Sequence, residues 1–202
     1  PVNTFRLYQH KTGSDGKPLQ DGVDWNNDGT VNLADMYEDT NGDGTVNDQD
    51  RQPNALTYPQ PKAYLGLTSN LTWKSFDFTF TLRSNLGGQV YNNVLSSNGY
   101  LNRLFELVPN NVPTAALEAN FRAPQYTSNY YLEDATFLRC DNITLGYTVN
   151  QLKAAKIRVY ATVQNAFVWT KYTGLDPEVV NGIDNNLYPR SRTFVFGLSV
   201  GF

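Results

Sequence analysis

The sequence is poor in reactive side chains. Its 202 residues include one cysteine, Cys140, and one histidine, His10. A single cysteine excludes a disulfide within the chain, and a lone strand thiol is more typical of a packed residue than of a reactive one. No Ser, Cys or carboxylate pattern surrounds His10, which we expect to be an exposed loop residue. The composition therefore gives little support to nucleophilic catalysis.

Charge and long apolar runs are also scarce. Charged residues make up 17% of the chain, the formal net charge is −3, and no basic cluster is present. These values exclude the electrostatic footprint of a nucleic-acid-binding protein. Although 40% of the residues are hydrophobic, no apolar run approaches the roughly 18 residues that a membrane-spanning helix needs.

Apolar residues instead alternate with polar or small ones in five segments. The segments are 63–73, 76–83, 141–149, 156–170 and 191–202. In the last of them Phe194, Phe196 and the terminal Phe202 share one face with other apolar residues. Such runs have about the length of a tilted membrane strand, whereas soluble strands average about five to six residues. The pattern predicts strands with one face toward lipid and the other toward a lumen, with Asn165 as an interruption in the fourth.

The connections between these segments are alternately short and long. The short ones are 74–75 and 150–155, and the long ones are 1–61, 87–135 and 172–191. Outer-membrane barrels have short periplasmic turns and long extracellular loops. We therefore predict a periplasmic C-terminus, an extracellular segment at 1–61, and barrel strands with further extracellular loops at 62–202.

Aromatic residues reach 13% of the chain, with thirteen tyrosines. Tyr and Trp are enriched at the two membrane–water interfaces. We expect such a girdle at the strand ends, from Trp73, Tyr91, Tyr147, Trp169 and Tyr172.

Two consecutive segments have the spacing of a calcium-binding loop. Residues 24–35 read D-W-N-N-D-G-T-V-N-L-A-D, and residues 39–50 read D-T-N-G-D-G-T-V-N-D-Q-D. Calcium takes roughly six to eight oxygen ligands, which alternate residues of a tightly turned loop supply, with glycine at the sixth position. The predicted ligands, at positions 1, 3, 5, 7, 9 and 12, are Asp24, Asn26, Asp28, Thr30, Asn32 and Asp35, then Asp39, Asn41, Asp43, Thr45, Asn47 and Asp50.

These loops differ from EF-hands. No amphipathic helix fits before Asp24, and Pro53 prevents one soon after Asp50. The last ligand is Asp rather than Glu, which predicts modest affinity, and a pair of Asn-Gly and Asp-Gly turns without metal is the alternative. We expect bound calcium to be structural, rigidifying a long extracellular segment that has little core of its own.

Five sequence blocks occur in order along the chain. They are N-G-D-G-T-V-N-D-Q-D-R at 41–51, P-K-A-Y-L-G-L-T-S-N-L-T-W-K-S-F-D-F-T-F at 61–80, Y-L-E-D-A-T-F-L-R-C-D-N-I-T-L-G-Y-T at 131–148, R-V-Y-A-T-V-Q-N-A-F-V-W-T-K-Y-T-G-L-D-P-E at 158–178 and N-G-I-D-N-N-L-Y-P-R-S-R-T-F at 181–194. With the terminal Phe202, they closely resemble the C-terminal end of SusC/RagA-type TonB-dependent outer-membrane transporters. That family has a single D-x-N-G-D-G element, so the loop at 24–35 is additional.

The resemblance implies an all-β fold, an antiparallel transmembrane β-barrel with long extracellular loops. This chain would supply the last five or so of about 22 strands, around a plug formed by the N-terminal part of the transporter. It also implies import of oligosaccharides or peptides across the outer membrane of a Gram-negative bacterium. The implied partners are the rest of the barrel and the plug, a SusD-like surface lipoprotein acting as a lid, TonB, and outer-membrane lipid.

Transport is therefore the leading functional hypothesis. Flat aromatic rings and amides suit both sugars and peptides, and the predicted substrate-vestibule residues are Tyr91, Asn93, Tyr100, Arg103, Asp184, Asn186 and Tyr188. The second hypothesis is a secreted calcium-dependent β-rich binding module or adhesin, which predicts a polar outer face. An enzyme is the third, with Asp176 and Glu178 as an acid/base pair, but no nucleophile or oxyanion site accompanies them.

Overall fold

The computed structural model describes residues 5–53, 58–107, 110–149, 156–185 and 188–201. The strands in these ranges are β1 (Arg6–Leu7), β2 (Gln52–Pro53), β3 (Ala63–Trp73), β4 (Phe76–Leu86), β5 (Gln89–Tyr91), β6 (Leu132–Asp134), β7 (Phe137–Val149), β8 (Lys156–Thr170) and β9 (Thr193–Gly201). The α-helices are α1 (Leu33–Met36), α2 (Asn93–Asn98) and α3 (Ala115–Ala119), and the 3-10 helices are Asp48–Asp50, Leu101–Phe105 and Asn129–Tyr131. None of the described helices has the length and apolar character needed to cross a membrane.

The long strands form one antiparallel sheet. Its order is β3-β4-β7-β8-β9, so each long strand pairs with the next one along the chain. All five segments that alternate in the sequence are strands, which confirms the all-β prediction; β4 runs on to Leu86 and β7 begins earlier, at Phe137. The connection at 74–75 is a two-residue hairpin in which Lys74 adopts a left-handed φ of 54°. The predicted turn at 150–155 and Phe202 lie outside the described residues.

The register places apolar side chains of neighbouring strands side by side. One cross-strand row runs Leu71, Phe78, Leu145, Ala161 and Phe196. Residues directly opposite each other point to the same face of a sheet, so this row and its neighbours make one continuous apolar face. This face remains open to the surroundings, as the 80% exposure of Phe196 shows.

The opposite face of the sheet is polar. The Thr144 and Thr162 hydroxyls lie 2.8 Å apart, and the Thr79 hydroxyl donates to Asn70 Oδ1 at 2.8 Å. Nearer the hairpin, Arg158 Nε donates to Asp77 Oδ1 at 2.9 Å. Polar groups on this face therefore bond to one another across strands: the threonine bonds join adjacent strands, and the Arg158–Asp77 pair spans β7.

A bulge interrupts the ladder near the other end of the sheet. Thr81 pairs with Asn142 but Leu82 pairs with Cys140, which leaves Asp141 as an extra residue in β7. β8 is irregular at the same place, because Asn165 and Ala166 lie between the partners of Asn142 and Cys140, where β7 has only Asp141. The φ of Asn165 is +50°. This explains why the alternation in the sequence breaks at Asn165, since a bulge redirects side chains on the strand that carries it.

Aromatic side chains mark both ends of the apolar face. Trp73, Phe76 and Tyr147 lie in one cross-strand row, and the Phe76 and Tyr147 ring centroids are 4.8 Å apart. Trp169 lies at the opposite end, 75% exposed. The girdle prediction is wrong for Tyr91 and Tyr172, because both are buried, Tyr91 at the end of β5 and Tyr172 after β8, rather than exposed on the five-stranded sheet.

The chain divides into two compact units. Unit 1 contains Pro1–Gln60, Gln89–Glu133 and Val179–Leu187, and unit 2 contains Pro61–Gly88, Asp134–Glu178 and Tyr188–Phe202. Besides the segment before residue 61, unit 1 takes in parts of the two later long connections. Unit 2 is the five-stranded sheet with its adjoining segments.

Unit 1 is built by pairing between distant loops. Tyr91 N donates to Gly182 O at 2.8 Å, and Tyr8 N donates to Thr127 O at 2.8 Å. The main core cluster of the unit consists of Leu7, Tyr91, Ala119, Phe121 and Tyr131. The long connections therefore have an apolar core, although a small one.

Gly197 is required by the ring of Tyr160. A Cβ atom at Gly197 would lie 2.1 Å from Tyr160 Cζ, whereas one at Gly66 would meet nothing within 4 Å. We predict that Gly197→Ala lowers stability by about 1–3 kcal/mol through overpacking. We predict that Gly66→Ala is neutral or raises stability by up to about 1 kcal/mol. Thermal unfolding of the assembled protein, followed by gel mobility, measures both changes; equal midpoints for the two variants would contradict the packing of Tyr160 on Gly197.

Candidate functional site

The backbone of both predicted calcium loops turns where glycine stands. Gly29 and Gly44 adopt left-handed φ values of 85° and 83°. In the first loop the Asp24 carboxylate accepts the Gly29 N–H at 2.9 Å, and in the second the Asp39 carboxylate accepts the Gly44 N–H at 2.8 Å. The first and sixth positions are thus joined in the same way in both loops.

The carboxylate at position 12 of each loop accepts hydrogen bonds from the backbone of that loop. Asp35 accepts N–H groups from Trp25 at 2.8 Å, from Asn26 at 3.1 Å and from Asn32 at 2.9 Å. Hydrogen bonds from the backbone, that of Asn32 above all, hold the pKa of Asp35 below its usual value.

The second loop repeats this arrangement. Asp50 accepts N–H groups from Thr40 at 2.9 Å, from Asn41 at 3.2 Å and from Asn47 at 2.8 Å. Asp35 and Asp50 are both almost fully buried. A buried carboxylate that accepts three N–H groups stabilises the turn through bonds within the chain.

The donor set of each loop matches the preference of calcium for oxygen. It offers Asp carboxylates, Asn amide oxygens and a backbone carbonyl, all hard ligands. Both oxygens of Asp35 and of Asp50 already accept N–H groups, which leaves these two residues little capacity for bidentate coordination. Across the described part of the chain, no group of three or more His, Cys, Asp or Glu side chains is placed to hold a metal ion. Calcium binding stays a prediction.

The role of the two buried carboxylates is testable without metal. We predict that Asp35→Asn increases proteolytic cleavage within 24–35 and leaves 39–50 unchanged, and that Asp50→Asn does the reverse. In each variant a side-chain NH₂ group would replace one carboxylate oxygen, so a backbone N–H would face a donor and lose its acceptor. Limited proteolysis in the presence of a chelator measures both effects. Glu38→Gln, an exposed charge removal between the loops, is the control, and cleavage equal to the control in both variants would contradict this role.

The predicted vestibule residues differ in their accessibility. Tyr91 is only 6% exposed and donates through its hydroxyl to Ser96, and Asp184 is also buried, so neither has a free surface for substrate. The amide of Asn93 donates to Asn185 Oδ1 at 2.7 Å. Tyr188 is highly exposed.

Two other predicted vestibule residues contact close neighbours in unit 1. Tyr100 bonds to Glu106, and Arg103 bonds to Asn98. Tyr100, Arg103 and Asn93 are partly exposed. Asn186 lies outside the described residues.

His10 is a packed residue rather than an exposed one. Its Nε2 lies 2.8 Å from Leu19 O and its Nδ1 lies 3.1 Å from Ser128 Oγ. A carbonyl oxygen only accepts, so Nε2 carries the proton and Nδ1 accepts from the serine. Burial lowers the pKa of His10, with an opposing contribution from the Leu19 carbonyl. The only histidine therefore has a structural position inside unit 1.

Six charged side chains of unit 2, which we call the arginine–carboxylate network, form the densest group of ion pairs among the described residues. Its members are Arg83, Arg139, Asp141, Asp176, Glu178 and Arg190. Glu178 accepts from Arg83 Nη1 at 2.7 Å and from Arg83 Nη2 at 3.0 Å. Asp176 accepts from Arg139 Nη2 at 2.6 Å and from Arg190 Nε at 3.0 Å.

The network changes the interpretation of the L-D-P-E motif. Hydrogen bonds from Arg83 are the main cause that lowers the pKa of Glu178, which keeps it an anion. A general acid needs the opposite shift, so the structure gives no support to an acid/base pair of Asp176 and Glu178. The sequence contained the two acids, but their arginine partners come from distant strands, beyond the range of local patterns.

No family model matches the chain, but comparison of its sequence with curated proteins identifies relatives. Over its whole length the chain is 39% identical to the "TonB-dependent receptor SusC" of Bacteroides thetaiotaomicron, and covers 19% of that protein. Over its whole length it is 26% identical to the "TonB-dependent receptor P3" of Formosa agariphila, and covers 22% of it.

Solved structures share the fold. The chain superposes on a chain of the RagAB peptide transporter with a TM-score of 0.65, 21% identity and coverage of 97% of this chain and 22% of the other. For the RagAB peptide importer in the "open-open" state the TM-score is 0.63, the identity 22% and the coverages 99% and 22%. The chain thus spans about a fifth of the length of the relatives that it matches.

Proposed function

The chain corresponds to the C-terminal portion of a SusC/RagA-type TonB-dependent outer-membrane transporter, and from this premise we propose that it forms barrel wall and extracellular vestibule in a nutrient importer. The observation that carries the proposal is the sheet itself, with one open apolar face bordered by aromatic rings and one polar face. A wall between lipid and an aqueous lumen requires these two faces. A secreted module would need a polar outer surface, which the exposed Phe196 and Trp169 do not provide.

The two edge strands imply a larger barrel. Within the described residues β3 and β9 each pair with one long strand, which leaves one side of each backbone without a neighbour from this chain. Unpaired backbone groups in hydrocarbon cost several kcal/mol each, so in the membrane both edges pair with further strands. We infer that the remaining barrel and the plug come from the N-terminal part of the transporter, which also contacts TonB.

The relatives suggest the cargo and the lid. RagAB is a peptide transporter, and the family resemblance extends the class to oligosaccharides. In our proposal the exposed and partly exposed positions Asn93, Tyr100, Arg103 and Tyr188 are the best placed of the predicted residues to meet substrate or a SusD-like lipoprotein lid. The long connections then lie outside the cell and the C-terminus lies in the periplasm, in the outer membrane of a Gram-negative bacterium.

The assignment of the two faces makes a directional prediction. Phe78→Lys and Val163→Lys should impair assembly far more than Thr79→Lys and Thr162→Lys, because a lysine near the bilayer midplane costs about 2–4 kcal/mol on the lipid side and stays hydrated in the lumen. Each pair is a matched control, since Phe78 and Thr79 are adjacent in β4, as Thr162 and Val163 are in β8. The measurement is the yield of heat-modifiable, folded transporter in outer membranes.

Equal yields for the two members of a pair would contradict the membrane-wall proposal. A reversed order, with the threonine variants more damaging, would show that the apolar face points away from lipid. Phe78 and Val163 test the apolar face at two places, because they belong to different cross-strand rows, whereas Thr79 and Thr162 share one row of the polar face.

We also propose that the two loops at 24–50 bind calcium in a structural role. The support is the repeated oxygen-rich spacing and the matching left-handed Gly29 and Gly44. The proposed ligands are the side chains at the first, third, fifth, ninth and twelfth positions and the carbonyl oxygen of the seventh. Bound calcium would bring these oxygens together where the loop has little apolar core.

Removal of calcium should loosen the loops and leave the strands folded. We expect a chelator to increase proteolytic cleavage within 24–50 several-fold, and heat-modifiable mobility to stay unchanged. Asp28→Ala should make its own loop insensitive to the chelator, and Asp43→Ala should do the same for the second loop. Equal cleavage with and without chelator in the unaltered transporter would refute calcium binding.

A further inference from the structure

Two arginines stand directly opposite each other on the polar face of the sheet. Arg83 of β4 is the register partner of Arg139 of β7, and the Arg139 side chain is only 4% exposed. Like charges directly opposite across two strands destabilise a sheet unless anions neutralise them. The Arg83–Arg139 pair therefore requires carboxylates from elsewhere in the chain to neutralise its charge.

The bulge supplies one of these carboxylates. Asp141 is the extra residue of β7, and its Oδ2 accepts from Arg83 Nε at 2.6 Å. Without the bulge, ordinary alternation would place Asp141 on the face of the sheet opposite to that of Asn142. The bulge thus directs an acid toward Arg83.

The other two carboxylates come from the connection that follows β8. Asp176 binds Arg139, and Glu178 binds Arg83. Arg190, which lies just before β9, contacts both acids: its Nε is 3.0 Å from Asp176 and its Nη2 is 2.8 Å from Glu178. The Asp176 carboxylate also accepts the Glu178 N–H at 2.9 Å. Each of these two acids therefore joins a strand arginine to Arg190.

The local sequence presents both acids to one side. Pro177, between them, fixes its own φ and lies in a bend, across which the Asp176 carboxylate accepts the Glu178 N–H. Upstream, Tyr172 folds back over Gly174, where a Cβ atom would lie 2.4 Å from Tyr172 Cε1. Residues 172–178, which we call the ledge, are thus held at both ends.

Resting on the proposed transporter function, we propose that the ledge is fixed to the lumen side of the barrel wall near its extracellular end, where it narrows the passage and selects solute. Arg83 and Arg139 lie on the polar face, so the acids that bind them lie on that face too. The exposed residues of the ledge are Thr173 and Leu175, the latter 61% exposed, and beside them the Arg190 side chain is 41% exposed. An entering solute then meets a hydroxyl, an apolar and a cationic side chain.

Size-graded labelling of the complete transporter in whole cells tests this position. Leu175→Cys is treated with a small membrane-impermeant maleimide and with one that carries a long polyethylene glycol chain. Phe105→Cys, at an 84% exposed loop position outside unit 2, is the control. We expect both reagents to label Phe105→Cys, but only the small one to label Leu175→Cys efficiently. Relative to the control, the large reagent should react at least about tenfold less, a local opening free energy of about 1.4 kcal/mol.

Removal of the ion pairs that hold the ledge should abolish the difference between the two reagents at Leu175→Cys. In the Leu175→Cys background, Asp176→Asn with Glu178→Gln should restore labelling by the large reagent to the level of the control. Arg190→Gln, which leaves the pairs to Arg83 and Arg139 in place, should restore it in part. Heat-modifiable mobility reports whether each variant folds. If the double variant does not fold, the single variant Arg190→Gln still tests the proposal.

The outcomes separate the ledge from the transporter proposal. Two results would overturn the ledge proposal: efficient labelling of Leu175→Cys by both reagents while the network is intact, or no change in labelling by the large reagent when the ion pairs are removed. In either case Phe105→Cys still reports a surface loop. Failure of both reagents at Phe105→Cys in folded protein would instead contradict the extracellular placement of the loops.

Discussion

The antiparallel backbone ladder between consecutive long strands is the constraint on which the rest of unit 2 depends. Once β3 pairs with β4, and β4 with β7, each side chain has a fixed face and a fixed neighbour. The apolar face, the polar face and the opposition of Arg83 and Arg139 all follow from this register. A slip of one residue would exchange the faces of a whole strand.

The strands were predictable because their signal is local. Alternation along β3, β8 and β9 is visible within about ten residues, and the sheet keeps each of these segments as one strand. The bulge at Asp141 was not predictable in the same way, because it is defined by what β4 places opposite β7. Even so, the break at Asn165 was a visible trace of it.

The loops were harder, since their side chains take roles from distant partners. Tyr91 has a side chain of the type that contacts sugars, but it forms part of a core with Leu7 and Phe121. Asp35 and Asp50 have the spacing of metal ligands, yet their oxygens bond to the backbone that surrounds them. A residue type at a given spacing defines what chemistry is available, and tertiary contacts decide how much of it is used.

The interleaved loop pairing of unit 1 has a consequence for the order of folding. His10 N bonds to Asn129 Oδ1 across 119 residues, and Tyr91 bonds to Gly182 across a similar stretch. Contacts of such high sequence separation form late, because loop-closure entropy must be overcome first. In unit 2 the pairs β3–β4 and β7–β8 join strands that are close in the chain and have no such delay, whereas β4 and β7 pair across residues 87–136. Unit 1 is therefore complete only after the chain up to its last segment has been delivered, so a truncation before Gly182 would leave Tyr91 without its partner while four of the five long strands are already present.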